Sequence, residues 1–329
     1  MKRKLSVALF IVALALMIGG GLGAPAHSAP AAINLRCGLP TPPGSPHHKF
    51  LIAMNDYLAQ NGLVTIEIFT DSLLGSEREL PEYVSMGTVA MALIAVPQLA
   101  NFVPSFYILD FPYFFADRAK AIEVLNGEVG RKLLDKLHAA NIHALGIAQQ
   151  GFRQFQNNVR PVVSVEDARG IKIRTIENEL YQRMFESIGV FPTLMSTSEV
   201  VTALEQGTVE GVDYALTAIY TSGAYVGIRY VTITEHILGF LVPMINLELW
   251  NSFPPEIREE LNNATAYALG RNAMELLEDE AAVIRRLEED FVLSYADKEE
   301  WRAATAGVAD VYLNRIDMDL YNELLEALN

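Results

Sequence analysis

The stretch GIKIRT at residues 170–175 begins the part of the chain in which strand and helix patterns alternate most clearly. The alternating apolar residues of 171–175 predict a strand. The segments that follow alternate between helix and strand patterns: a helix at 177–187, a strand at 189–194, a helix from about Ser198 to Gly207 and a strand at 209–214. Strands that alternate with helices in this way indicate an α/β architecture.

The same alternation runs through the preceding segments. Strands are predicted at 33–39, 64–69, 87–94 and 143–148, and helices at 48–60, 76–86, 118–125 and 127–140. Ser164 and Ser196 each stand three residues before an acid, the spacing of a capping box at the start of a helix. A much longer helix is predicted from Pro254-Pro255 to about Glu289, which suggests an element that spans two domains or a dimer seam.

The N-terminus has the pattern of a secretory signal peptide. Lys2-Arg3-Lys4 is a basic segment, residues 5–18 are almost entirely apolar, and small residues at 24–29 resemble a cleavage site. We therefore predict a cleaved signal peptide at residues 1–28. An uncleaved anchor is the alternative, but the apolar run is shorter than the roughly 20 residues that a membrane span needs. The single cysteine, Cys37, excludes an intramolecular disulfide, and its surroundings do not favour a lipid-modified cysteine.

The composition indicates an acidic, well-packed globular protein. The chain has 25 basic and 40 acidic residues, and removing the leader takes away three basic residues and no acidic one. The formal net charge then moves from -15 to -18, which is 22 basic minus 40 acidic residues. Such a surface repels phosphate backbones and disfavours nucleic-acid binding. The remaining length of near 300 residues suits about two domains.

The motifs of the common catalytic sites are missing from the sequence. There is no phosphate-binding Gly-Lys-Ser/Thr loop, no Gly-x-Ser-x-Gly elbow and no His-Glu-x-x-His helix. The pair His47-His48 makes a poor metal site because adjacent helical residues point in different directions, so we interpret it as a surface or start-of-helix pair. Asp110 has no nearby histidine or cysteine to suggest a catalytic pair. We expect no enzyme activity, no cofactor and no metal site.

Two arginines in the middle of the chain are the best candidates for an anion site. Arg153 lies among aromatic residues in GFRQFQNN at 151–158, and Arg174 lies near the end of the strand predicted at 171–175. A desolvated arginine needs an anion, and its planar fork matches a carboxylate. A structural ion pair is the alternative interpretation of Arg174.

Several motifs in fixed order resemble the periplasmic solute-binding subunit of a tripartite ATP-independent periplasmic (TRAP) transporter, of the DctP-like family. They are GSERE at 75–79, MGTVAMA at 86–92, NFVPSF at 101–106, LDFPYFF at 109–115, the two arginine stretches, and EVVTALEQGTVEG at 199–211. The resemblance covers nearly the whole chain after the leader. Each motif alone is weak evidence for the family. The resemblance rests on the occurrence of all of them in the same order.

The resemblance implies a two-lobed α/β periplasmic binding protein fold with crossing hinge strands and a long lobe-spanning helix. Residues 29–150 and 240–279 are expected to form lobe I, and residues 151–239 and 280–329 lobe II. Such a protein closes around one small organic acid and delivers it to TRAP permease membrane subunits driven by an ion gradient. By resemblance, Arg174 is the carboxylate anchor and Arg153 its assistant.

Most of the remaining predicted site residues come from departures from the family pattern. Thr197 stands where relatives often have an aromatic residue, and Val212-Asp213-Tyr214-Ala215 replaces a turn that carries an amide. The wall of the pocket is predicted to include Tyr214, Thr197, Asp213, Phe240, Val96 and Leu39.

We therefore expect a pocket with one charged end and less polar walls, which favours a monocarboxylate with an apolar or aromatic body. A C4-dicarboxylate or keto acid is the alternative ligand. A ligand sensor for a signalling receptor is the alternative role, and a secreted enzyme is the disfavoured one. We expect a periplasmic protein that is a monomer rather than a dimer.

Overall fold

The computed structural model describes residues 33–328, so the predicted signal peptide lies outside the described residues. Its strands are β1 Ile33–Gly38, β2 Val64–Phe69, β3 Met91–Ala95, β4 Ile142–Ala144, β5 Ala148–Asn157, β6 Lys172–Thr175, β7 Phe191–Leu194, β8 Gly211–Ala215, β9 Tyr230–Ile233, β10 Leu238–Asn246 and β11 Val292–Tyr295. Its helices are α1 Pro46–Leu58, α2 Glu79–Ser85, α3 Val96–Phe102, α4 Arg118–Leu125, α5 Glu128–Asp135, α6 Val165–Ala168, α7 Glu179–Ser187, α8 Val200–Glu205, α9 Leu216–Thr221, α10 Leu247–Ser252, α11 Pro255–Asp290, α12 Lys298–Thr305 and α13 Met318–Leu328.

The strands form a two-lobed α/β fold. Strands β2, β1, β3 and β10 are neighbours in that order, and β10 is followed by β5, β8, β6 and β7. β1 pairs in parallel with β2 and β3, and β6 pairs in parallel with β7 and β8, so each lobe has a parallel α/β unit of its own. β4 joins the first part through β10, while β9 and β11 join the second through β5.

Strand β5 crosses between the lobes. Its first half pairs antiparallel with β10, where Gly151 lies opposite Gly239 and the register shifts beside Gly239. Its second half pairs antiparallel with β8, where Arg153 lies opposite Ala215. The same strand therefore belongs to the sheets of both lobes, and its bulge lies at the crossing, where it allows the sheet to bend.

The long helix α11 also connects the lobes. It runs for 36 residues and begins with Pro255, whose missing N–H group is tolerated at the first turn of a helix. Leu261 packs in the same core as α1, whereas Leu287 packs in the second core behind β8 and β9. Near the far end, Asp290 accepts a hydrogen bond from Tyr220 of α9.

Most predicted elements are confirmed, including both capping boxes, which are formed by Ser164 with Asp167 and by Ser196 with Glu199. The strand predicted at 143–148 is wrong, because β4 ends at Ala144 and β5 begins at Ala148 with Gly146 in the turn between them. The sequence patterns also gave no indication that the arginine stretch at 151–158 is mostly strand.

The last part of the chain packs on segments from both predicted lobes. α12 lies against α6 and α7, whereas α13 packs on α4 and α5, where Lys132 pairs with Glu323 at 2.7 Å. The predicted lobe boundaries stay a prediction. Among the helices of residues 33–328, none is long and apolar enough to cross a membrane.

Candidate functional site

A narrow cleft with the buried arginines in its wall lies where segments of both lobes meet. We call it the Arg174 cleft. Its cavity volume is about 40 Å³, within about 550 Å³ of empty space that includes its mouth. Its lining residues are Pro40, Thr41, Pro42, Ser45, Pro46, His47, Glu77, Ala95, Gln150, Arg153, Arg174, Ile176, Thr197, Tyr214, Ala218, Thr221 and Ser222. A water molecule needs roughly 10–15 Å³ of such volume, so this conformation has room for only a few waters.

Arg174 is held by groups that leave much of its charge uncompensated. It is 1% exposed, its Nε donates to the carbonyl oxygen of Met195 at 2.9 Å, and its Nη2 donates to Oγ1 of Thr197 at 3.4 Å. Its guanidinium lies over the ring of Tyr214 at 5.2 Å. Within residues 33–328, its nearest carboxylate contact is Oε2 of Glu77, 4.0 Å from Nη2. The Nη1 edge is therefore available to an incoming carboxylate.

Glu77 reaches this arginine from the segment between β2 and α2. Its side chain is 8% exposed, and its Oε1 accepts a hydrogen bond from the hydroxyl of Thr197. Its Oε2 is buried and has no hydrogen-bond partner among the described residues. Because a buried carboxylate without a partner is costly, this oxygen needs either a donor from a ligand or an opening of the cleft.

Arg153 is already matched by a carboxylate of the protein. Its Nε donates to Oδ2 of Asp213 at 2.8 Å, and its Nη2 donates to the carbonyl oxygen of the same residue. Burial acts to lower the pKa of Arg153, but Asp213 and the nearby Tyr181 and Asp110 outweigh it, so this pKa lies above its ordinary value. Burial likewise acts to raise the pKa of Asp213, while Arg153 and His236 lower it below its usual range.

A second buried carboxyl group lies at the edge of this pair. Asp110 accepts a hydrogen bond at Oδ1 from the hydroxyl of Tyr181 at 3.0 Å, and its Oδ2 has no partner among the described residues. Burial raises the pKa of Asp110 to about 7, against the opposing effects of Tyr181 and Arg153. The guanidinium of Arg153 lies 5.0 Å from the ring centre of Tyr181, which links the two groups.

The structure brings four of the eight predicted site residues together in the cleft wall: Arg174, Arg153, Tyr214 and Thr197. The other four, Asp213, Phe240, Val96 and Leu39, are buried and are absent from the wall. Asp213 forms an ion pair with Arg153. Leu39 and Val96 are each one residue away from a lining residue, Pro40 and Ala95. Phe240 packs edge-on against Phe115 at 5.1 Å between ring centres.

Sequence reasoning missed several wall residues that lie between β1 and α2, chiefly Glu77 and His47. His47 is 2% exposed and lies in the first turn of α1, so it is at the start of a helix but is not on the surface. Burial lowers its pKa to about 3. A signal existed for Glu77, because it is an acid within the GSERE motif, but nothing in the sequence places it beside Arg174.

Known proteins share both the sequence pattern and the fold of this chain. The family model described as bacterial extracellular solute-binding protein, family 7 (DctP), matches residues 38–315. A solute-binding protein of Verminephrobacter eiseniae is 32% identical over 249 residues, which are 75% of this chain and 74% of that protein. The C4-dicarboxylate-binding periplasmic protein DctP of Rhodobacter capsulatus is 31% identical over 231 residues, which are 69% of this chain and 67% of that protein.

A solved structure has the same fold. A TRAP periplasmic solute-binding protein from Bordetella bronchispeptica, with density interpreted as pantoate, superposes with a TM-score of 0.84 at 28% identity. The match covers 89% of this chain and 98% of that chain. The fold and the order of the motifs therefore agree with one family over most of the chain.

Proposed function

The chain belongs to family 7 of the bacterial extracellular solute-binding proteins, and we propose from this premise that it captures an organic acid in the Arg174 cleft. Members of this family bind small organic acids and work with the membrane permease subunits of TRAP transporters, and a periplasmic location is expected for them. We propose the same partners and location for this chain, as its signal-peptide pattern also suggests.

The observation that carries the proposal is the state of Arg174. It is almost fully buried, yet its only carboxylate contact among the described residues is 4.0 Å away. A carboxylate that meets the Nη1 edge supplies the missing counter-charge and forms two parallel hydrogen bonds, which lysine could not form.

The charges around the cleft favour a ligand with one carboxylate. Arg153 is matched by Asp213, whereas Glu77 is 4.0 Å from Arg174 and compensates it only in part, so among the described residues Arg174 is the one lining cation that still needs a counter-charge. With the pKa of His47 near 3, its imidazole is uncharged and adds no positive charge at neutral pH. A second ligand carboxylate would find no free cation among the residues that line the cleft, and desolvating it would be costly.

The rest of the lining suits a body that is at least partly apolar. Six lining residues present apolar side chains: Pro40, Pro42, Pro46, Ala95, Ile176 and Ala218. We therefore propose a monocarboxylate with an apolar or aromatic body. Pantoate, named for the similar Bordetella protein, is a monocarboxylate with a branched apolar centre. The C4-dicarboxylate named for the Rhodobacter relative is the alternative ligand class.

Binding requires the lobes to open and close. The cavity volume of about 40 Å³ leaves room for only a few waters, so admitting an acid requires the cleft to widen. We propose that the open form admits the acid, that Arg174 fixes its carboxylate, and that closure removes water and strengthens the ion pair.

A thermal-shift screen over organic acids tests the proposal. The panel contains pantoate, benzoate and phenylacetate, together with pyruvate, succinate, malate and galacturonate. An acid present at a hundred times its dissociation constant stabilises the protein by about 2.7 kcal/mol. We expect monocarboxylates with an apolar body to raise the melting temperature most. If only C4-dicarboxylates or sugar acids raise it, the proposed ligand class is wrong, and if no acid does so, the proposed function is wrong.

The partner and the oligomeric state need separate measurements. A sensor for a signalling receptor would share this fold and cleft, so uptake of the identified acid by membranes that contain the TRAP permease subunits distinguishes transport from sensing. We propose a monomer, which light scattering of the purified protein tests.

A further inference from the structure

We propose that His47 determines which acids the Arg174 cleft accepts, because its imidazole forms a hydrogen bond with a hydroxyl group on the body of the ligand. The inference rests on the proposed function, since it requires an organic acid bound in this cleft. It adds a requirement that Arg174 cannot impose, because Arg174 recognises only the carboxylate.

His47 is placed and buried like a binding residue. It lies in the wall that lobe I contributes, in the first turn of α1, and it is 2% exposed. Within residues 33–328 neither ring nitrogen forms a hydrogen bond, and Nδ1 is fully buried without a partner. Buried polar groups are nearly always hydrogen-bonded in native proteins, so an unpaired imidazole in a ligand cleft indicates a missing partner.

The neighbours of His47 cannot supply that partner. Pro40, Pro42 and Pro46 line the same wall and have no backbone N–H group. Thr41 and Ser45 bond to each other through their hydroxyl oxygens at 2.8 Å. Oγ of Ser45 also accepts from the backbone N–H of His48 at 3.3 Å, because it caps α1. Of the polar side chains in this loop and first turn that line the cleft, only that of His47 lacks a partner.

The missing partner is an uncharged group. Burial keeps His47 neutral, since its pKa is lowered to about 3, so it offers one donor and one acceptor but no positive charge. The carboxylate of Glu77 lines the same cleft and disfavours a second anion there. A hydroxyl group satisfies these conditions, because it can donate to the free acceptor nitrogen or accept from the N–H of the other.

Matched pairs of acids test this inference by isothermal titration calorimetry. Each pair shares a carbon skeleton and differs in its hydroxyl groups: pantoate with 3,3-dimethylbutanoate, D-erythronate with butanoate, and lactate with propionate. We expect the wild-type protein to bind the hydroxylated member of at least one pair about tenfold or more tightly than its partner. His47→Leu should weaken binding of the hydroxylated member much more than binding of the unsubstituted acid, and so remove that preference.

His48→Leu is the matched control. His48 lies next in the chain, is part-buried rather than buried, and accepts from the backbone N–H of Gly44 through Nδ1 at 3.3 Å. It does not line the cleft, so its replacement should keep the preference for the hydroxylated acid. His47→Asn retains hydrogen-bonding groups, so this variant should keep part of the preference for the hydroxylated acid.

The outcomes separate this inference from the proposed function. If wild-type protein binds both members of every pair equally, or if His47→Leu weakens both members equally, His47 does not select a hydroxyl group. The proposed function then still stands, provided that Arg174→Ala abolishes binding of both members. If Arg174→Ala binds as well as wild type, the carboxylate assignment fails and the His47 inference fails with it. If wild type binds no acid of any pair, the His47 inference fails, and the thermal-shift panel decides the carboxylate assignment. If His47→Leu does not fold, equal binding of both members of every pair by the wild-type protein still overturns the inference.

Discussion

Arg153 and Asp213 form a fully buried ion pair, with Nε of the arginine 2.8 Å from Oδ2 of the aspartate. The two residues lie on adjacent antiparallel strands, β5 and β8, at the crossing between the lobes. The charge of Arg153 in the cleft wall is therefore matched by a carboxylate of the protein, whereas the carboxylate nearest to Arg174 is 4.0 Å away. This difference supports unequal roles, with Arg174 as the carboxylate anchor and Arg153 as a fixed neighbour.

Removing the charge of Asp213 should destabilise the protein strongly. Asp213→Asn leaves Arg153 as a buried cation without its counter-ion, which should lower the free energy of unfolding by about 3–5 kcal/mol. Urea unfolding followed by circular dichroism measures this. Asp135→Asn is the control, because its pair with Arg131 is exposed and should contribute less than about 1 kcal/mol. Equal effects of the two substitutions would show that the buried pair does not stabilise the crossing.

We expect the buried carboxyl group of Asp110 to make the protein less stable as the pH rises. Its pKa is about 7 in the folded protein against an ordinary value of 3.8, so between these values the folded state binds more protons than the unfolded state. The contribution of this group to the free energy of unfolding should therefore decrease as pH rises from about 4 to about 7, and stay constant above that range.

Comparison with Asp110→Asn isolates the effect, because the amide keeps an acceptor for Tyr181 and does not titrate. Urea midpoints at pH 5 and pH 8 should show that wild type loses more stability on going to pH 8 than the variant does. The same pH dependence in both proteins would contradict a carboxyl group held neutral by burial.

We expect substitution of Gly151 to destabilise the protein, because of its backbone conformation and the atoms around it. Its φ is +103°, and a Cβ atom there would meet the carboxylate of Glu280, which pairs with Arg118 at 2.8 Å. Gly151→Ala should lower the free energy of unfolding by about 1–3 kcal/mol. Gly270→Ala is the matched control, since it lies within α11 with no atom in the way and should stabilise the helix by up to about 1 kcal/mol. Thermal unfolding of the two variants should therefore shift in opposite directions, and a shift in the same direction would count against strain at the crossing strand.

The sequence was most informative where local pattern decides structure. The capping boxes at Ser164 and Ser196 and the long helix α11 are confirmed, because caps and periodicity act over a few residues. Arg174, a candidate anion-binding residue from its chemistry and the carboxylate anchor by resemblance, lies in the cleft wall.

The rest of the site depends on contacts between distant segments. Leu39 and Val96 were predicted to form part of the wall, and the structure places their neighbours Pro40 and Ala95 there, because neighbouring side chains point in different directions. Asp213 was predicted to bind the ligand and instead pairs with Arg153, sixty residues away in the chain. Glu77 accepts a hydrogen bond from Thr197, 120 residues away in the chain, a contact that no local pattern in the sequence indicates.

The role of Arg174 is decided by the affinity of Arg174→Ala for the acid that gives the largest thermal shift with wild type. Isothermal titration calorimetry should show a loss of about 2–5 kcal/mol in binding free energy, with Arg174→Lys recovering only part of it. Circular dichroism of the unliganded variant verifies that it is folded. A folded Arg174→Ala variant that binds this acid with wild-type affinity would contradict the assignment of Arg174 as the carboxylate anchor.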